Sequence, residues 1–220
     1  MVKIATVPDG INYSLNNDYT ELFLQLFYST LFLNFIWWIM TDRSEKNKKK
    51  GFIFALWQTS ACTIFTGMFI LTHDRWYSIA SHAWFLSGML MDFVYGFIYF
   101  PEDMYMLTTN VHHVAYFILE YYIIGVADFT GFFSLYFLQE FPTFLLNLKR
   151  YFNIENNTYE NIFAISFFLL RIVYYNYINY LCLDILLSFE FYGLAICNVI
   201  VNYMHVSWWW DYMKNKPKFD

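Results

Sequence analysis

Charge is scarce in this chain of 220 residues. Only 14% of them are charged, where a soluble domain of that length carries about a quarter. That scarcity, beside 59% hydrophobic and 25% aromatic residues, excludes an ordinary soluble globular domain. No stretch rich in proline, glycine and serine forms a linker, and no internal repeat is present, so nothing marks off a second domain. Cysteine is rare: Cys62, Cys182 and Cys197 lie scattered in apolar segments. They form no metal-ligand spacing and are expected to be small buried side chains. Five histidines with one adjacent pair do not supply the repeated ligand boxes of a histidine-rich metal oxidase. No metal and no other cofactor is expected. The net charge of -5 carries little information in so apolar a chain, and no nucleic-acid partner is expected.

Present instead are long apolar runs, each about the 20 residues that cross a bilayer. They lie at Tyr19–Met40, Gly51–Thr72, Ile79–Phe100, Tyr105–Val126, Phe129–Leu148, Glu160–Leu181 and Asp184–Trp210. The expected fold is therefore all-α, a polytopic transmembrane helical bundle of about seven spans. Asn176, Asn179, Cys182 and Asp184 blur the gap between the last two. The opening "MVKIATVPDG" has one lysine and a short apolar run stopped by Pro8, unlike a cleavable signal, so the first span is expected to act as an uncleaved anchor.

Basic loops stay cytoplasmic, which orients the bundle. With the amino terminus outside, the cytoplasmic face receives "TDRSEKNKKK", the "LKRYF" loop and the "DYMKNKPKFD" tail. Ten lysines and arginines fall there, against Lys3 and Arg75 on the other face, while Arg171 lies inside a span. The amino terminus is thus expected to be lumenal and the carboxy terminus cytoplasmic. Residues 1–50 form the outer segment, first span and basic loop; 51–210 form a six-helix membrane domain; 211–220 form the tail. Two glycosylation sequons, at Asn12 and Asn156, fall outside and inside respectively on this topology.

Helix rise sets the depth of each ionisable residue. Asp92, His112, His113 and Glu140 come out roughly 12 Å below the cytoplasmic boundary, and Arg171 roughly 16 Å. Five ionisable groups thus share one layer, where charge is costly unless it pairs or lines a wet cavity. Arg171 is expected to neutralise Asp92 or Glu140. His112 and His113, about 100° apart on a helix, cannot both face the bundle centre. A polar network that only fixes helix packing is the alternative for the whole set. Glu120 and Glu190 fall in a shallower outer layer and are expected to snorkel to water.

Four stretches, "DFVYGFIYF", "MLTTNVHH", "LQEFPTFLLNLKRYF" and "FFLLRIVYY", resemble in order and spacing the signature of the TLC-domain membrane proteins, the family that contains TRAM and the ceramide synthases. The resemblance runs from about Gly51 to the tail. It places the family's aspartate on Asp92, its paired histidines on His112 and His113, its acidic residue on Glu140, and its arginine on Arg171. The resemblance implies a bundle of six or seven spans in the endoplasmic reticulum or another internal membrane. It also implies a role in lipid synthesis, trafficking or sensing.

In the ceramide synthase branch, the paired histidines together with aspartates on the next helix are associated with moving a fatty acyl group from coenzyme A to a sphingoid amine. Imidazole can act there as base or nucleophile. This chain departs from that branch: Glu140 stands alone, the later acidic position is Thr143, and "VAYF" follows the histidines without a threonine. Short terminal segments also leave no room for an accessory domain. The closer resemblance is to the smaller TLC-domain proteins. Two readings follow. One is a protein that binds, moves or senses membrane lipids through a polar intramembrane cavity. The other is an N-acyltransferase with acyl-CoA as partner, using His112, His113 and Glu140.

Overall fold

Apolar residues without interrupting proline or charge favour long helices, and the computed structural model, which describes residues 19–40, 51–99, 116–120, 130–181, 183 and 192–215, is helical almost throughout those residues. The helices are α1 (Tyr19–Met40), α2 (Gly51–Thr72), α3 (Arg75–Tyr99), α4 (116–120), α5 (130–152), α6 (Asn157–Leu181) and α7 (Tyr192–Asn215). No strand occurs among the described residues. Three of the helices, over Tyr19–Met40, Phe52–Thr72 and Asn157–Leu181, are long and apolar enough to cross a membrane. Large apolar side chains such as Phe23, Phe35, Ile165 and Tyr203 stand exposed on the outside of the bundle. A soluble monomer rarely exposes so much contiguous apolar surface.

Tight turns make neighbours antiparallel. α2 ends on His73, whose φ of 55° is left-handed and whose N–H returns to Phe69 O at 2.8 Å. Asp74 then caps α3 by accepting from the Trp76 N–H at 2.9 Å. The α5–α6 corner repeats the device. Asn153 adopts φ 53°, and Asn156 accepts from the N–H groups of Thr158 and Tyr159 at 2.7 and 3.2 Å. Asparagine tolerates both jobs because its short amide can serve the local backbone.

α3 is the most enclosed helix and packs against both α1 and α2. Its buried positions include Ser78, Ala80, Ser81, Ala83, Ser87 and Gly88, which allow backbones to come close. Ser87 bonds Ser29 of α1 and the carbonyls of Ala83 and Leu26. Tyr95 donates to Asn34 Oδ1 at 2.6 Å. On the α2 side, Gln58 lies across Gly88 and donates to Phe85 O at 3.3 Å. A Cβ on Gly88 would stand 2.3 Å from Gln58 Cγ, so glycine is what the crossing requires.

Two helices lose regularity. In α5, Thr130–Ser134 is α-helical, Leu135–Gln139 tightens to a 3₁₀ turn, and Glu140–Phe152 resumes as α-helix. Pro142 explains the change of pitch, since it lacks an N–H and its ring crowds the carbonyl four residues back. In α6, Phe168–Tyr174 opens into a π-helix in mid-span. At the end of the bundle, Glu160, almost wholly buried, ties three helices: Lys149 of α5 pairs with it, and Tyr212 of α7 donates to it at 2.8 Å. Burial first, and the bond to Glu160 second, hold the Tyr212 hydroxyl above the usual phenol range.

Candidate functional site: a polar cavity beside an arginine clamp

The irregular parts of α5 and α6 face one another, and Arg171 bridges them. Arg171 sits inside the π-helix with only 9% of its surface exposed. Its Nε donates to the Gln139 carbonyl at 3.2 Å, and its Nη2 donates to Thr143 Oγ1. Glu140 Oε1 stands 3.8 Å from the same Nη2, close enough for an ion pair but too far for a hydrogen bond. The guanidinium also lies over the rings of Phe167 at 5.4 Å and Trp208 at 5.7 Å. Two donated bonds, one counter-ion and two aromatic faces together meet the cost of a desolvated cation.

The backbone of the π-helix is itself fastened. His205 of α7, buried, places Nδ1 3.0 Å from the Arg171 carbonyl. A carbonyl can only accept, so Nδ1 carries the proton in that bond. π-helical turns inside α-helices are rare and occur often at functional sites.

Beside this clamp lies a cavity of about 40 Å³. Glu120, Gln139, Glu140 and Asn198 give it a polar side, and Phe85, Phe133 and Phe137 an apolar one. Glu120 comes from α4 and is 3% exposed. His82 of α3, fully buried, holds it through Nδ1 at 2.7 Å, and the ring of Phe137 meets the imidazole edge-on at 4.9 Å. Asn198 is fixed by the Tyr175 hydroxyl. The Gln139 side chain, 7% exposed, has an Oε1 with no hydrogen-bond partner.

Of the five residues the sequence assigns to the polar layer, the structure brings Glu140 and Arg171 together. Asp92 is half-buried on α3 and is not the carboxylate at Arg171, whose ion pair among the described residues is with Glu140. His112 and His113 lie outside the described residues. Glu120 corrects the sequence reading. It does not snorkel to water but points inward to His82 and shares the cavity with Glu140. Depth counting gives height along the membrane normal and is blind to which way a side chain faces, which is why it failed here. His82 went unremarked in the sequence. Its signal is the run of small residues around it, Ser78, Ala80, Ser81 and Ala83, which draws neighbouring helices close enough to bury an imidazole.

No protein-family model, no curated protein and no solved structure matches this chain.

Proposed function

We propose that this chain is a multi-pass membrane protein of the TLC-domain type, with about seven spans, that binds, moves or senses membrane lipids through the cavity between α3, α4, α5, α6 and α7. The observation that carries the reading is a cavity inside an apolar bundle with a polar side built from Glu120, Gln139, Glu140 and Asn198. Ionisable groups held within such a bundle mark function by default. Three apolar helices of membrane-crossing length support the setting. On this reading the protein lies in an internal membrane such as the endoplasmic reticulum, amino terminus lumenal, and a glycan on Asn156 would overturn that orientation.

The geometry around Glu140 favours lipid handling over acyl transfer. Its carboxylate serves as counter-ion to Arg171, and the position one turn on, Thr143, is taken up by the same guanidinium. The lone acid of the expected transferase set is therefore already occupied. The test is to give membranes containing the protein a long-chain acyl-CoA and a sphingoid base, and to identify the lipids that copurify with it. We expect no amide product that depends on His112 or His113, and a copurifying lipid set that changes in Glu120→Gln. Loss of general-base help typically costs a factor of roughly 10²–10⁴ in rate. An amide product that falls by that much in His112→Ala or His113→Ala would make this chain an enzyme.

A further inference from the structure

The charges around the cavity already have partners. Glu120 is held by His82 at 2.7 Å, and Glu140 faces Arg171 at 3.8 Å. What is left over is the amide of Gln139, whose buried Oε1 accepts from nothing. Native proteins pair the large majority of such atoms, so an orphan on a residue that lines a cavity points to a ligand. The backbone of Gln139 is engaged separately, through its carbonyl, with Arg171. Its side chain is therefore free of the clamp.

Chemistry and size narrow the ligand. An amide offers an acceptor oxygen beside a two-hydrogen donor, and a hydroxyl offers one donor and two lone pairs, so a hydroxyl can meet either end. The cavity of about 40 Å³ has room for about three waters, at roughly 10–15 Å³ each. That space accepts a hydroxyl and its first carbons but not a phosphate-bearing head. An ammonium head finds no unmatched carboxylate, because His82 and Arg171 have taken both. Phe85, Phe133 and Phe137 supply an apolar wall for the attached hydrocarbon.

We infer that the cavity binds the head of a neutral, hydroxyl-bearing lipid, with the hydroxyl hydrogen-bonded to the Gln139 side chain and the hydrocarbon against the three phenylalanines. The inference rests on the lipid-handling reading above and narrows it to one head-group chemistry. The hydroxyl could come from an acylglycerol or from a sterol.

The experiment titrates the purified full chain in detergent with four probes: monooleoylglycerol, cholesterol, dioleoylphosphatidylcholine and octadecylamine. Native mass spectrometry reads occupancy, and the shift in Tm reads stabilisation. Saturable binding of at least one of the two alcohols, tighter than that of the phospholipid and the amine, is expected, and whichever alcohol binds identifies the source. Gln139→Leu, which keeps size and removes the amide, should weaken that binding about five- to tenfold, the loss of one hydrogen bond. Cys197→Phe, which fills the cavity from α7, should abolish it. If Gln139→Leu fails to fold, Cys197→Phe decides. Tighter binding of the amine or the phospholipid would overturn the head-group assignment and leave the lipid-handling reading standing. Alcohol binding untouched by either variant would overturn the site. If none of the four binds, the cavity holds only water and both readings fall.

Discussion

The α1–α3 side of the bundle is more apolar than the α5–α7 side, and the two are joined in different ways. On the first side the helices are regular, and their polar contacts are hydroxyls, two amides and close-packed small residues: Ser29 with Ser87, Tyr95 with Asn34, and Gln58 over Gly88. On the second side the helices leave α geometry twice, and buried charge appears at both places or next to them. The difference teaches where strain is placed. In an apolar solvent, helix association draws on packing and interhelical hydrogen bonds rather than on hydrophobic burial. A regular seam suffices to hold two helices together. The departures from regularity on the other side serve a different purpose, aiming Arg171 at the Gln139 carbonyl, Thr143 and Glu140.

The comparison breaks most severely at Arg171. Replacing it by methionine strands Glu140 in the bundle, and removing one partner of a buried pair costs roughly 3 kcal/mol or more. The detergent Tm of Arg171→Met should fall well below that of the parent chain. Adding Glu140→Gln should recover part of the loss, whereas adding Asp92→Asn should not, because Asp92 is not the arginine's counter-ion. Recovery by Asp92→Asn instead would show the charge pairing to be misassigned.

On the regular side the largest effect belongs to Gly88→Ala. The new methyl group would meet Gln58 at mid-chain, and overpacking a closed contact costs about 1–3 kcal/mol. Trimming the obstruction in Gly88→Ala with Gln58→Ala should restore part of the stability, measured in the same thermal assay. Gly67 makes the internal control. Nothing lies within 4 Å of a Cβ built there, so Gly67→Ala should not lower Tm.

Smallest is Ser87→Ala. It removes the hydroxyl pair with Ser29 and the bond to Leu26, but membrane helix–helix hydrogen bonds average about 0.6 kcal/mol. A drop in Tm as large as that of Arg171→Met would erase the distinction between the two sides.

How much of this was readable beforehand follows the same division. Uninterrupted apolar stretches define helix extents well, and Tyr19–Met40 and Gly51–Thr72 coincide with α1 and α2. Boundaries drift where a local signal outranks hydropathy. α6 begins at Asn157 rather than Glu160 because Asn156 caps it, and α5 runs past Leu148 to Phe152, ending at the left-handed Asn153. The pairing of Arg171 with Glu140 was legible as one of two options, since depth along the helix ranks candidates without choosing a face. The His82–Glu120 pair was not legible that way, because each residue by itself reads as an isolated polar group, and only the packing of α4 against α3 unites them. The π-helix has no sequence marker at all. "FFLLRIVYY" is as good an α-helix as its neighbours until tertiary contacts to the Arg171 side chain and carbonyl are considered.

That wide turn also acts as a phase shifter. A π segment fits an extra residue into a turn, so everything beyond it is rotated relative to a uniform α-helix, by about the 100° that separates neighbouring residues. Tyr175 and Ile178, which pack into the core with Phe132 and Tyr136, owe their azimuth to it. Deleting Ile172 should therefore only close the wide turn into uniform α-helix, whereas inserting one alanine after Tyr174 should leave α6 long enough and apolar enough to form while turning its second half away from α5 and α7. Circular dichroism would still report the helix, and the Tyr136–Asn179 and Tyr175–Asn198 contacts would be lost together. Substitution is tolerated or not according to chemistry, but along this helix the count of residues is a specification in its own right.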